Sequence, residues 1–200
     1  MAKYIGPKDR LSRREGFDLF GKGLKLTRLA VTPGVHGPKG QMKAQSQYGK
    51  QLREKQKAKR LYGMSEKQFR RYMTEALKSK GNTADRFFTL LESRLDNVVF
   101  RLGLAKTRFQ SRQLVSHRHV LVNGQKLNIP SYQVKIGDMI TLTSKAMEIP
   151  TVKLLLGVED IKIPGWLERK GPAGKITRLP AREDVLEPIS EQDIIEYYSR

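Results

Sequence analysis

Apolar residues recur at helical spacing through Leu91, Leu95, Val98 and Leu102, which predicts one amphipathic helix stopping at Gly103. A second helix is predicted from Thr107, where Thr107-x-x-Gln110 has the form of a capping box. Val120 and Val122 lead into Asn123-Gly124, a pair suited to a type I′ hairpin because both central residues need positive φ. Tyr132, Val134 and Ile136 alternate, Gly137-Asp138 turns, and Ile140 and Leu142 alternate again, so short antiparallel strands are expected.

Upstream, a helix is expected from Gln45 to about Tyr62. Another follows the capping box Ser65-x-x-Gln68, with Phe69, Tyr72, Met73, Ala76 and Leu77 as its apolar stripe and an end at Lys80-Gly81. Those aromatics read as core rather than as base-stacking platforms. Residues 1–43 lack helical periodicity and are rich in Gly, Pro and basic side chains, which predicts an extended arm with little core. Past the hairpins, Gly and Pro punctuate residues 150–182, with a strand expected over Val152 to Leu156 and Trp166 in a loop. Ser190-x-x-Asp193 caps a terminal helix whose Ile194, Ile195, Tyr197 and Tyr198 need a surface to cover. The expected fold is α+β: a basic arm (1–43), a helical domain (44–88) on which residues 190–200 pack back, a module of two helices and a small antiparallel sheet (89–145), and an irregular or β extension (146–189).

Charge adds a direction to this plan. The chain carries 39 Lys and Arg against 20 Asp and Glu, a net +19 that self-repulsion would make costly without a polyanionic partner. Residues 1–60 hold 16 basic and 4 acidic side chains, residues 61–120 hold 12 and 5, and residues 121–200 hold 11 and 11. A polyanion should therefore meet the first three-fifths of the chain. Lys50, Arg53, Lys57 and Arg60 recur so as to form a ladder of cations along one helix side; a solvated basic face is the alternative. Arg108 and Arg112 stand in the first turns of a helix, where the dipole disfavours cations. A phosphate bound by free N–H groups and two guanidinium forks would resolve that conflict; two solvated arginines are the alternative.

Ser93-Arg-Leu-Asp-Asn-Val-Val99, Thr107-Arg-x-x-x-Arg-Gln-Leu-Val-x-His117, Val122-Asn-Gly124 and Pro130-Ser-Tyr132-x-Val134 resemble the RNA-binding, αL-type module named after small-subunit ribosomal protein four. Ser12-Arg-Arg-Glu-Gly16, Pro33-Gly-x-His-Gly37, Tyr48-Gly-x-Gln-Leu-Arg-Glu-Lys-Gln56, Tyr62-Gly63 with Gln68-Phe-Arg70, Lys80-Gly81 and Glu196-Tyr-Tyr-Ser-Arg200 extend the resemblance to the bacterial-type form of that ribosomal protein family, over nearly the whole chain. The resemblance implies a structural protein that binds the 5′ domain of small-subunit rRNA early and nucleates assembly of the subunit body. It implies contact with small-subunit protein five, with protein three as a further candidate, a place beside the channel by which mRNA enters, and a part in translational accuracy. In the family, basic residues after the Pro-Gly-x-His-Gly block face that channel; here the matching stretch offers only Lys39 and Lys43. Together these readings give the candidate RNA-binding set: Arg13, Arg14, Lys22, His36, Lys39 and Lys43 in the arm; Lys50, Arg53, Lys57, Arg60, Arg70 and Arg71 in the helical domain; and Arg94, Lys106, Thr107, Arg108, Ser111, Arg112, Gln113, Ser116, His117 and Arg118 in the module.

Other chemistries find little support. There is no cysteine, so disulfides and thiolate zinc sites are excluded, and the cysteine zinc site that some family members carry has no counterpart. Gly21-Lys-Gly23 lacks the third glycine of a dinucleotide fingerprint, and no Gly-Lys-Ser/Thr phosphate loop occurs. Gly63-Met-Ser-Glu-Lys67 resembles a synthetase loop without the catalytic domain it would serve. Arg94-Leu-Asp96 resembles the tripeptide that carries the aspartate of pseudouridine synthases, yet Leu95 belongs to an apolar stripe. His117 and His119 carry no companion Cys and lie among arginines that disfavour a metal cation, so a phosphate or base contact is the better reading of His117. No catalytic residue, metal or cofactor is therefore expected. A free RNA-binding adaptor and an RNA-modifying factor with the same module are the alternatives. No segment reaches membrane-spanning length, and a cytoplasmic or organellar ribosome is the expected location.

Overall fold

A computed structural model of the chain describes residues 4–23, 26–37, 46–158 and 161–199. In chain order the helices are α1 (Lys8–Glu15), α2 (Gln47–Leu61), α3 (Glu66–Lys78), α4 (Thr83–Glu92), α5 (Leu95–Arg101), α6 (Arg108–Ser116), α7 (Ser144–Met147), α8 (Pro150–Leu156) and α9 (Glu191–Tyr198). The strands are β1 (Val120–Val122), β2 (Gln125–Lys126), β3 (Met139–Leu142), β4 (Leu167–Lys170) and β5 (Ala173–Ile176). The fold is α+β, in two compact units: residues 1–78 with 187–200, and residues 79–186. The boundary expected after residue 88 would cut α4, whose continuous helix keeps residues 83–92 in the second unit.

In the first unit the supposedly coreless arm contains a helix. In α1 only Ser12 is buried, so no apolar period announced it, and Gly16 ends it at φ 62°, returning its N–H to the Ser12 carbonyl. Arg13 donates from Nε to the Val31 carbonyl (2.9 Å) and from Nη2 to the Thr32 carbonyl (3.2 Å), tying down the following loop, in which Leu19 and Leu26 are buried. Helix α2 is capped by Ser46, whose hydroxyl accepts from the Gly49 N–H. On α3, Phe69, Tyr72, Met73 and Ala76 are buried, but Leu77 is 42% exposed and leaves the expected stripe, and the helix stops at Lys78, short of Lys80-Gly81. Helix α9 lies along α2: Ile194 is buried, the Gln51 amide donates to Glu196 (2.6 Å), the Ser190 N–H donates to Glu54 (3.2 Å), and the Tyr198 hydroxyl donates to Glu66 (2.8 Å).

In the second unit the single helix expected through Leu91, Leu95, Val98 and Leu102 is two, broken at Ser93-Arg94, although all four leucine and valine side chains are fully buried. The break is held by residues 130–134. Carbonyls of Tyr132 and Pro130 accept from the first N–H groups of α5, Leu95 (2.9 Å) and Asp96 (3.1 Å), while the Val134 N–H donates to Ser93 (2.9 Å). The expected strand at Tyr132 to Ile136 is therefore used as a backbone cap, and Ile136 is exposed.

The antiparallel sheet has the order β2-β1-β3-β5-β4, with Val122 opposite Gln125, Val120 opposite Leu142, Ile140 opposite Gly174 and Leu167 opposite Ile176. Asn123 (φ 50°) and Gly124 (φ 80°) make the β1–β2 turn. Val152 to Leu156 is helical rather than a strand, because Pro150 pre-sets the first turn of α8 and a short apolar run fits either state. One core joins Leu95, Val98 and Leu102 to Leu114, Val120, Ile140, Ile176 and Trp166, which is wholly buried rather than in an exposed loop.

Candidate nucleic-acid interface

The start of α6 is built by its cap. The Thr107 hydroxyl accepts from the Gln110 N–H (3.2 Å), and Gln110 Oε1 accepts from the Lys106 N–H (2.9 Å), so the return bond lands one residue earlier than a capping box requires. Arg112, one turn on, is buried and donates from Nε to Asp96 Oδ2 (3.0 Å). Arg94, with no exposed surface, clamps the same carboxylate from Nε (3.0 Å) and Nη2 (2.8 Å). The cation at the positive helix end is thus neutralised within the chain, by a carboxylate rather than a phosphate. Arg94, Ser111 and Arg112, expected at the RNA surface, are interior; the Ser111 hydroxyl bonds the Arg108 carbonyl (2.9 Å). The same geometry makes Asp96 a structural anion, sealed from substrate at 4% exposure.

A second buried carboxylate braces Arg108. Glu92 accepts from Arg101 (2.9 and 2.8 Å) and from the Asn97 amide (2.7 Å), and Asn97 Oδ1 accepts from Arg108 Nε (2.8 Å). The Arg108 guanidinium also lies 4.6 Å from the Phe100 ring centroid and is half-buried. Lys106, Gln113, Ser116, His117 and Arg118 are exposed. Arg118 closes α6 in the left-handed region (φ 61°), its N–H reaching the Val115 carbonyl (2.9 Å).

In the first unit the cation ladder of α2 is divided. Arg53 (3.3 Å) and Arg60 both pair with Glu15 Oε1, whose side chain is 1% exposed, and Lys57 pairs with Glu54 (3.3 Å) and covers the Phe17 ring (5.2 Å). Burial pushes the Glu15 carboxyl up, outweighing the pull of Arg60, Arg53 and Arg14. Lys50 is exposed, as are Arg14 and His36 of the preceding segment; Lys22 pairs with Asp9. Arg70 and Arg71 are exposed on α3 beside Lys67 and Lys78, and together they line a recess of about 480 Å3. Lys67 and Lys78 did not stand out in the sequence, although positions 67, 71, 74 and 78 share a helix face. None of Lys50, Arg70, Arg71, Lys106 or Arg118 has a carboxylate partner among the described residues. Lys39 and Lys43 lie outside the described residues. Among the described residues no cluster of three or more His, Cys, Asp or Glu could hold a metal ion, and no helix is long and apolar enough to cross a membrane.

A two-helix module carrying a small sheet, with exposed cations at the two ends of one helix, has the form of a nucleic-acid-binding domain, and the comparisons with known proteins agree. Residues 93–140 match the S4 domain, and residues 3–92 match the ribosomal protein S4/S9 N-terminal domain. Over their full lengths, the chain is 47% identical to small ribosomal subunit protein uS4 of Natranaerobius thermophilus, 48% to that of Dictyoglomus turgidum and 46% to that of Neisseria meningitidis. The chain belongs to the small ribosomal subunit protein uS4 family.

Proposed function

We propose that this chain, by family a structural protein of the small ribosomal subunit acting in translation, grips small-subunit rRNA through its exposed cations and not through Arg94, Arg101 and Arg112, which buried carboxylates hold inside the second unit. The observation that carries this reading is that division: Arg94, Arg101 and Arg112 surround buried acids, whereas Lys106 and Arg118 stand exposed at the two ends of α6. Lys50, Arg70 and Arg71 offer further phosphate contacts from the first unit, where Arg14 and His36 are exposed as well. Contacts of this kind supply affinity and fix register, and the fixed helix ends select the shape of an RNA junction more than its sequence.

The family resemblance supports the finer reading: the 5′ domain of the rRNA as the first binding target, small-subunit proteins five and three as neighbours, a place beside the channel by which mRNA enters, and a cytoplasmic ribosome. Catalysis has no part in it. Binding of the purified protein to separate transcripts of the 5′ and 3′ domains of small-subunit rRNA tests the reading. Tight, saturable binding to the 5′ transcript alone is expected; equal, weak binding to both would contradict it.

A further inference from the structure

Four guanidinium groups converge in the first unit on a recess of about 190 Å3 lined by Tyr4, Arg10, Leu11, Arg14, Arg53 and Arg60, with Pro33 at its edge. The acid that meets them is Glu15, which takes Arg53 and Arg60 from beneath on a single oxygen and has a side chain with almost no exposed surface. Glu15 is the acid that pairs with these arginines, and even with Glu54 near enough to act on it, four lining arginines leave the recess positive. Arg10 and Arg14 are exposed and form no ion pair among the described residues, although Arg14 is near enough to act on the Glu15 carboxyl. Burial lowers the Arg60 pKa against the opposing pull of Glu15, and the neighbouring Arg53 and Arg14 add to the fall.

Such crowding is costly in the free protein and is relieved by an anion with several acceptor oxygens. We propose that this recess is a seat for one phosphate group. Glu15 fixes Arg53 and Arg60 as its floor, and Arg10 and Arg14 close on the anion from the rim. The volume suits a phosphate with its first attached groups and is small for a whole nucleotide. The phosphate can come from an RNA backbone, in which case the inference rests on the rRNA-binding reading, or from free phosphate in solution.

Two measurements on the full-length protein separate these sources, using the double variant Arg10→Gln/Arg14→Gln, which leaves the Glu15 pairs intact. In the first, affinity for the 5′-domain transcript is measured against salt concentration, with Arg118→Gln as a control in the other unit. In the second, inorganic phosphate is titrated at constant ionic strength while the amide resonances of residues 10–14 are followed. A seat for RNA phosphate predicts that the double variant lowers the slope of log affinity against log salt by about 0.7–0.9 for the one phosphate no longer neutralised. A seat for free phosphate predicts an unchanged slope and a saturable shift that the double variant abolishes. An unchanged slope together with no saturable shift in the parent overturns the seat. If Arg118→Gln still lowers the slope in that case, only the seat has failed; if it does not, the reading of the exposed cations fails as well.

Discussion

Arg112 of α6 donates to Asp96 of α5 at 3.0 Å, and Arg94 grips the same carboxylate at 2.8 Å from the turn that separates α4 from α5. One buried acid therefore fastens α6, α5 and the break together. Removing one member of a buried ion pair strands the other, which costs about 3–5 kcal/mol. Asp96→Ala, which strands two arginines, should reach that range in urea unfolding. Arg112→Ala leaves Arg94 on the acid and should cost less, about 1–3 kcal/mol. If Arg112→Ala instead left stability unchanged and only weakened RNA binding, Arg112 would be a surface contact after all.

Arg118 holds its exposed position at a cost in backbone conformation. A left-handed φ of 61° costs an arginine about 1–2 kcal/mol that glycine avoids, less the extra chain entropy glycine loses on folding. Arg118→Gly should raise stability by about 0.5–1 kcal/mol while lowering rRNA affinity. Thermal unfolding and RNA titration of the same preparation give the two signs; a fall in both would mean that the side chain also holds the fold.

Glu66 links α9 to acid stability. Burial alone would raise its pKa, but hydrogen bonds from Lys59, Lys55 and Tyr198 outweigh that and hold it at about 2, below the ordinary 4.5. A carboxyl depressed on folding stabilises fully above its unfolded pKa and loses that stabilisation as pH falls toward the folded value. The urea midpoint should therefore drop between about pH 4.5 and pH 2, and Glu66→Gln should flatten the drop in that window. Glu66 is 45% exposed, so solvent screening keeps the effect small. Identical pH profiles for the parent and Glu66→Gln would remove Glu66 from the account.

Gly174 on β5 has no room for a side chain: a Cβ there would stand 2.5 Å from both terminal methyls of Leu102. Gly174→Ala should destabilise by about 1–3 kcal/mol through overpacking. Leu102→Ala alone should cost about 2–5 kcal/mol, because that side chain is fully buried, but the double variant should lose less than the sum of the two single losses, as a double-mutant cycle would register.

Local chemistry was legible in the sequence where a few neighbouring residues decide the structure. Thr107 and Ser190 accept the N–H bonds their positions promise, and Asn123-Gly124 makes its hairpin turn. Long-range decisions were not legible. The break before α5 depends on carbonyls of Pro130 and Tyr132, while the spacing of Leu91, Leu95, Val98 and Leu102 runs straight through it. Strands β4 and β5 carry Glu168, Arg169, Lys170 and Lys175 and turn at Gly171, so they show little apolar alternation. The site divides in the same way. Basic residues are visible in a sequence, but whether Asp96 sixteen positions from Arg112, or Glu15 from another helix, takes up a given cation is a tertiary fact.

Salt dependence of rRNA binding separates the exposed cations at the ends of α6 from those that do not face RNA, because its slope counts phosphates neutralised. Lys106→Gln/Arg118→Gln should lower the slope by about 0.7–0.9 for each phosphate that is no longer neutralised. Lys145→Gln/Lys153→Gln/Lys162→Gln, three exposed lysines in the electrically neutral part of the chain, should leave it unchanged. Equal slope changes from the two variants would contradict the account, and would mean that the partner RNA wraps the C-terminal part as closely as the ends of α6.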